Sequence, residues 1–394
     1  MVVAIGVFFL VSFQGTPNLT VYNGGPSISV DEAKRLAYMM DVLLLDNIKT
    51  ITSDEALAIG SYSNSILSLN GLQELSDPVS KALANHKGGW LILGGVKELS
   101  KDSARNLSRS RCHYLVLSGL KNMSPECASE LSNFNGLNMS FYGLKEIGDE
   151  SAKNLANFHG RLSLDGIVNI SNTTSSYLKN HQGRYLTLNS ICYINDEVSK
   201  NLGNSYGTLE LNGIRYINQI SAKNLAKHKG NLSLNGLRSL DLCVALELSD
   251  FKYDLLIDGV TKLNQDIFEQ ISNFKATSIS ISGIKSLSKE NAESISKFKG
   301  KFVRIDGIEK IDHLLLSGFI SYPGSISLGG INTINKSFAK DLSMLKCKSI
   351  IMDNLVNIND DTFEELLKLR GKLLINQNIL TDSQKRKIKI DMFR

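Results

Sequence analysis

The stretch "ISAKNLAKHKGNLSLNGLRSL", Ile220 to Leu240, decides the fold. Taken alone it offers a histidine between lysines, a glycine beside them and an Asn-Gly pair. Those residues would suit a metal ligand, a phosphate-binding corner or a basic contact. Leu232-Ser233-Leu234, however, alternates as a strand does, with leucines on one face and serine on the other. Asn235-Gly236-Leu237 then reads as a turn, because Asn and Gly both accept the left-handed backbone that tight turns use.

The pattern returns along the chain. "ILSLNGLQELSDPVSKALANHKG" at Ile66 is followed by "WLILGGVKELSKDSARNLSRS" at Trp90 and "YLVLSGLKNMSPECASELSNFNG" at Tyr114. A glycine after each short strand gives the register: Gly71, Gly95, Gly119, Gly143, Gly166, Gly213, Gly236, Gly259, Gly283, Gly307 and Gly330. Asn47, Ser190 and Asn354 fill the same slot, and Asn23 and Gln377 mark degenerate ends. The units number about sixteen, at a spacing of about 23 or 24 residues, which excludes a division into globular domains.

Between strands the pattern is helical. In the Gly283 unit, Ser288 stands where an N-cap belongs and Glu290 falls in the first turn, where a carboxylate suits the exposed amides. Ala292, Ile295 and Phe298 follow at steps of three and form one apolar face. Gly300 is expected to stop the helix as a C-terminal glycine. A three-residue strand and a short helix cannot bury their apolar faces alone, so the units must stack. The expected fold is an α/β solenoid, with parallel strands on one face and short helices on the other. It should span 18–379, between an apolar segment (1–17) and a basic C-terminal cap or tail (380–394). Alternation at Ile388, Ile390 and Met392 predicts a final strand or short cap, and "DHLLLSGFISYPG" predicts a local kink between Asp312 and Gly324.

On these residues the units resemble leucine-rich repeats, most closely bacterial variants built on "LxLNGLxxLSxxxAxxLAxHKG", from Leu19 to Ile379. They depart from the common pattern, which carries a buried asparagine three residues after the last strand leucine. Here that slot holds Leu72, Val96, Leu120, Leu144, Ile167 and Leu237, so a ladder of that kind should be absent. The resemblance implies ligand recognition on the strand-lined face and fixes no particular ligand.

Composition agrees with a folded chain: of 394 residues, 42 % are hydrophobic and 21 % charged, with five prolines and a formal net charge of +5. That modest charge does not call for nucleic acid. The five cysteines, Cys112, Cys127, Cys192, Cys243 and Cys347, are scattered and lack C-x-x-C spacing. Buried free thiols are expected, not a zinc or dithiol site. "MVVAIGVFFLVSF" at the start is too short to span a membrane. It has the length of a signal-peptide core, without a preceding cation or a small-residue cleavage site, and a structural cap would give the same run. Export or the cell surface is slightly favoured over the cytoplasm, and no other segment could cross a membrane.

Counting removes most candidate sites. Two residues before the helix-ending glycine stand His86, Phe134, Phe158, His181, His228 and Phe298, and Phe251 and Phe274 match by period. A metal ligand could not be exchanged for phenylalanine, so the slot calls for a flat ring. Asp165, Asp258, Asp306 and Asp353 share a position with Asn70, Gly94, Ser118, Tyr142 and Ser282; the requirement there is turn polarity. No phosphate loop or catalytic signature is present. The reading is of no catalytic, metal or cofactor site.

What remains is the solvent face of the strands, five, three and one residues before the register glycine. Most of its residues are small and polar: Ser68, Ser140, Ser163, Thr187, Ser233, Ser280 and Ser327. One neighbourhood differs. Ile66, Trp90, Ile92, Tyr114 and Val116 cluster there, with the chain's one tryptophan about 4.8 Å from Tyr114. Val42 and Leu44 extend the apolar character, and Arg161, Tyr185, Asp254, Phe302 and Arg304 add bulkier isolated groups. Apolar surface rimmed by polar residues marks partner sites. The expected partner is therefore a protein, bound by a non-enzymatic scaffold. The alternatives are a structural or self-associating surface or envelope protein, and an exported effector binding host protein.

Overall fold

Leucine alternation does set the strands. The computed structural model describes residues 19–37, 42–61 and 65–387; the apolar segment 1–17 lies outside them. The described residues fall into two compact units, those within 1–167 and 180–186, and those within 168–179 and 187–394. In the first, strands Leu19–Val21, Val42–Leu44, Ile66–Ser68, Trp90–Ile92, Tyr114–Val116, Asn138–Ser140 and Arg161–Ser163 pair in chain order, all parallel. The second unit repeats this plan, with parallel strands in chain order from Thr208–Glu210 to Lys372–Leu374. With Tyr185–Thr187, the described strands number sixteen, each followed by a helix.

Register is strict: Leu67 lies opposite Leu91, and Leu91 opposite Leu115. Those three, like Leu232 and Leu255 in the second unit, are fully buried, and each contributes about 1.5–3 kcal/mol. The helix stripe closes the core from the other side, through Ala104 and Leu107 or Ala292 and Ile295. N-caps recur at the predicted place. Ser288 accepts from the Asn291 amide in a capping box, and Ser100, Ser124, Asn195, Asn218, Asp241 and Asn264 cap in the same way.

The glycines have a different reason from the one expected. No described non-glycine residue has a positive φ, and among glycines only Gly207 does. The register glycines are instead sites of close approach. A Cβ on Gly95 would fall within 3.0 Å of the carbonyl oxygens of Asn70 and Leu72, and one on Gly236 would meet those of Asn212 and Ile214. Successive turns leave no room for a methyl group. Where asparagine fills the slot, its amide engages the crowding oxygen: Asn47 Nδ2 donates to the Tyr22 carbonyl at 3.1 Å and Asn354 Nδ2 to that of Gly329 at 2.7 Å. The helix-ending glycines likewise are not left-handed caps. The ring two residues earlier folds over them, Phe298 over Gly300 and Phe158 over Gly160.

A ladder does join successive turns, one residue before the register glycine. Asp46 Oδ1 accepts from the Asn70 amide (3.0 Å) and the Ser68 hydroxyl (2.6 Å), and Asn70 Oδ1 accepts from the Gly94 amide (3.0 Å). In the second unit Asn212 Oδ1 accepts from Asn235 N (2.9 Å) and Ser233 Oγ (2.6 Å), and Asp258 Oδ1 from Ser282 N (2.7 Å) and Ser280 Oγ (2.6 Å). The turn polarity read from Asp258 and Asp306 supplies a side-chain acceptor for the next turn's amide. A second ladder runs through the helices. The asparagine of "NL" donates to the first-turn carbonyl of the preceding helix, Asn106 to Asp77 and Asn224 to Asp196, both at 3.1 Å.

Three local expectations change. The segment Asp312–Gly324 keeps the common plan: Asp312 caps the helix His313–Gly318, and Tyr322 fills the ring slot. Gly318 admits that helix against Lys289 and Ala292 of the previous one, which makes room for Leu316 where alanine is usual. At the C-terminus, Asp382–Lys387 is a helix, pinned by buried Gln384 to the Ile358 carbonyl at 3.0 Å; Ile388, Ile390 and Met392 lie outside the described residues. Cys112, Cys127 and Cys347 are buried and free as expected, but Cys192 and Cys243 are exposed.

Close approach makes a measurable distinction between glycines. Gly95→Ala should lower stability by about 1–3 kcal/mol through overpacking. Gly148, an N-cap with nothing within 4 Å of its would-be Cβ, should instead gain about 0.5 kcal/mol as Gly148→Ser. Urea unfolding of the two variants checks both signs.

Candidate functional site

The histidines sit where ring counting placed them, and the structure shows what the slot does. His86, Phe134, Phe158, His228, Phe251, Phe298 and Tyr322 are all buried. Three polar members bond to a carbonyl of the previous turn, His181 Nε2 to Gly160 at 3.1 Å, His228 Nε2 to Gly207 at 2.9 Å and Tyr322 Oη to Gly300 at 3.1 Å, while His86 Nε2 bonds to the Trp90 carbonyl at 3.1 Å. Phenylalanine fills the same volume without the bond. His113 and His313 lie outside the slot and are exposed, with His313 Nδ1 2.9 Å from Asp341. Among the described residues no group of three or more metal-ligating side chains comes together. Burial pushes the Cys112 and Cys347 thiols up to about 11, away from thiolate chemistry.

The strand face is more closed than alternation alone indicated. Ser68, Ser140, Ser163, Thr187, Ser233, Ser280 and Ser327 are buried; several of them are held under the ladder acceptors. Their small size suits them to that hydrogen bond, so they are not a displayed surface. The five candidate residues lie together on three adjacent strands. Ile66 lies opposite Trp90, Trp90 opposite Tyr114, and Ile92 opposite Val116. Ile66 and Val116 are buried at 7 % exposure each, while Trp90, Ile92 and Tyr114 are half-buried.

Trp90 and Tyr114 are stacked, with ring centroids 4.0 Å apart and planes 7° from parallel. Such a pair is worth about 0.5–1.5 kcal/mol beyond its buried area. The ladder is broken at this point. Ile92 and Val116 replace the serines that elsewhere donate to an acceptor, and Gly94 has no acceptor to offer the next turn. In the second unit Gly329 and Ile351 break the ladder similarly, but the residues beside them, Ser325 and Ser349, bond hydroxyl to hydroxyl at 2.6 Å. The aromatic stack is what distinguishes the first break.

Two strands further along the first unit the face turns basic. Arg161 lies over the Tyr185 ring, 5.1 Å from its centroid, and Arg184 is exposed beside it. Sequence alternation identified Arg161 and Tyr185 as bulky; Arg184 lies just outside the strand and escaped it. In the second unit, Arg304 lies 5.6 Å from the Phe302 centroid and 3.5 Å from Asp306.

Strands, helices and ladder together define a leucine-rich-repeat-like α/β solenoid. No family model matches the chain, and no curated protein matches it in sequence. Among solved structures it is similar to an internalin from Listeria monocytogenes, at 15 % identity over 87 % of this chain and 88 % of that one, with a TM-score of 0.37. A leucine-rich-repeat protein from Leptospira interrogans gives 18 % identity, 84 % and 95 % coverage, and a TM-score of 0.37. The Toll–Spatzle complex of Drosophila gives 13 %, 74 % and 40 %, and 0.42. Likenesses at this level carry no argument about what the chain binds. No described helix is long and apolar enough to cross a membrane.

The ring slot generates a pH dependence. Burial lowers the pKa of His181 and His228 below the ordinary value of 6.5, partly offset by the carbonyls they bond, and His159 pushes His181 the same way as burial. The folded chain therefore resists protonation while the unfolded chain accepts it. Stability is full above about pH 6.5 and falls as pH drops from there toward the folded values. His181→Phe with His228→Phe should flatten that acid limb, since phenylalanine already fills this slot elsewhere. Thermal melts between pH 7 and 5 measure the difference in slope.

Proposed function

We propose that the chain is a non-enzymatic binding scaffold that recognises a protein partner through its strand-lined face, with the Trp90–Tyr114 stack at the centre of the contact. The observation that supports this most directly is the coincidence of two departures from the repeat. The acceptor ladder stops at Gly94, and the half-buried aromatic pair stands at the same turns. Ile66, Ile92 and Val116 adjoin the stack and make the spot apolar.

A stacked pair held on two strands is already ordered, so a partner that covers it loses little further side-chain freedom. Aromatic residues in such positions dominate binding energies elsewhere. Ile92, on the same face, would contribute area next to the stack without taking part in it.

Affinity capture with the purified chain identifies the partner and also tests the site. Trp90→Ala with Tyr114→Ala should weaken binding at least about 30-fold, as loss of a central aromatic contact does. Ile92→Lys should weaken it independently by charging the same surface. Far-ultraviolet circular dichroism should be unchanged in both. Undiminished binding by both variants would falsify this placement.

A further inference from the structure

The first unit also carries an open groove of about 730 Å³ at the edge where the strands begin. Its walls include Asn135, Leu137, Asn157, His159, Arg161 and Arg184, and no carboxylate lines it. Arg184 is exposed and forms no ion pair among the described residues. Arg161 and Arg184 therefore line one concavity with a histidine beside them. Tyr185 completes the wall and supports Arg161 through the ring contact at 5.1 Å.

We infer that this groove receives the carboxylates of an acidic polypeptide segment. Arginine forks match carboxylates in geometry as well as charge, since each can offer two parallel N–H donors. The remaining lining fits a polypeptide. Asn135 and Asn157 are exposed amides able to pair with peptide groups, and Leu137, 59 % exposed, offers an apolar contact. A nucleic-acid backbone would need a longer track of cations. Here the row of helix-end lysines is interrupted at Asn135, His159 and Gln182, and the whole chain carries a net charge of only +5.

The inference deepens the strand-face reading and rests on it for the source of the segment. Arg161 continues the row that holds Trp90 and Tyr114: Tyr114 lies opposite Asn138, and Asn138 opposite Arg161. The stack and the cations are thus about 10 Å apart, two strand spacings. One partner could place an apolar side chain on the stack and acidic residues in the groove.

The test uses the full chain and a fluorescent hexaglutamate peptide, with binding followed by anisotropy at low and high salt. The wild-type chain should bind at low salt and weaken as salt rises. Arg161→Ala with Arg184→Ala should weaken binding tenfold or more, and Arg184→Ala alone, at an exposed position, by several-fold. Trp90→Ala with Tyr114→Ala should leave hexaglutamate binding unchanged, which separates failure of the stack from failure of the groove. Three results would overturn the inference: no hexaglutamate binding at low salt, the same affinity in the arginine variants, or tighter binding of hexauridylate that is lost in those variants.

Discussion

The close approach of successive turns at the register position constrains everything else in this structure. Turn follows turn so tightly that the preceding carbonyl oxygens occupy the space a β-carbon would need, as at Gly95 and Gly236. That separation is what lets three-residue strands pair in strict register and lets leucines such as Leu67, Leu91 and Leu115 stack into one continuous core. It also brings the residue before each glycine within reach of the next turn's amide. Asp46, Asn70, Asn212 and Asp258 each accept that amide through a side-chain oxygen. Each such bond contributes about 1 kcal/mol net. Repetition gives the ladder its weight, since no single rung dominates.

A uniform ladder also defines where the chain departs from it. At Gly94 the acceptor is missing, and Ile92 and Val116 carry methyl groups where other turns carry hydroxyls. The lost bonds are worth roughly what the Trp90–Tyr114 stack returns, about 0.5–1.5 kcal/mol. Exchanging one for the other is therefore nearly neutral for folding. It is not neutral for the surface, because a buried serine is replaced by an apolar patch with a fixed aromatic pair. A change with little effect on stability and a large effect on surface chemistry is better explained by recognition than by folding.

Much of this was legible in the sequence, for a physical reason. Strand alternation, N-caps and the His–Phe equivalence each depend on residues within one repeat, and the period multiplies every local signal. The ring slot was readable because His228 and Phe298 answer the same need. The role of the glycines was not readable, because the atoms that exclude a methyl group at Gly236 belong to Asn212 and Ile214, a full repeat earlier. The acceptor ladder escaped for the same reason. The missing asparagine at Leu72 and Leu237 pointed to its absence, whereas the acceptor had moved to Asn70 and Asn235. Burial of Ser68 and Ser233 follows from their bonds to Asp46 and Asn212, and alternation carries no information about a partner across the turn.

The ladder further explains why functional information should collect in one row of the first unit. Positions one and three before the register glycine are tied to the neighbouring turn by acceptors and hydroxyls, so substitution there disturbs the stack. The position five before it lies at the start of the strand, outside the acceptor ladder, and bonds locally where Asn138 Oδ1 accepts from Ser140 Oγ at 2.9 Å. Along that row the first unit runs from Val42 and Ile66 through Trp90, Tyr114 and Asn138 to Arg161 and Tyr185. The row passes from two aliphatic side chains to two aromatic ones, then through Asn138 to Arg161 and the ring of Tyr185. Uniform packing would not select such an order, because every member of the row meets the same backbone geometry. A partner with an apolar side and an acidic side would.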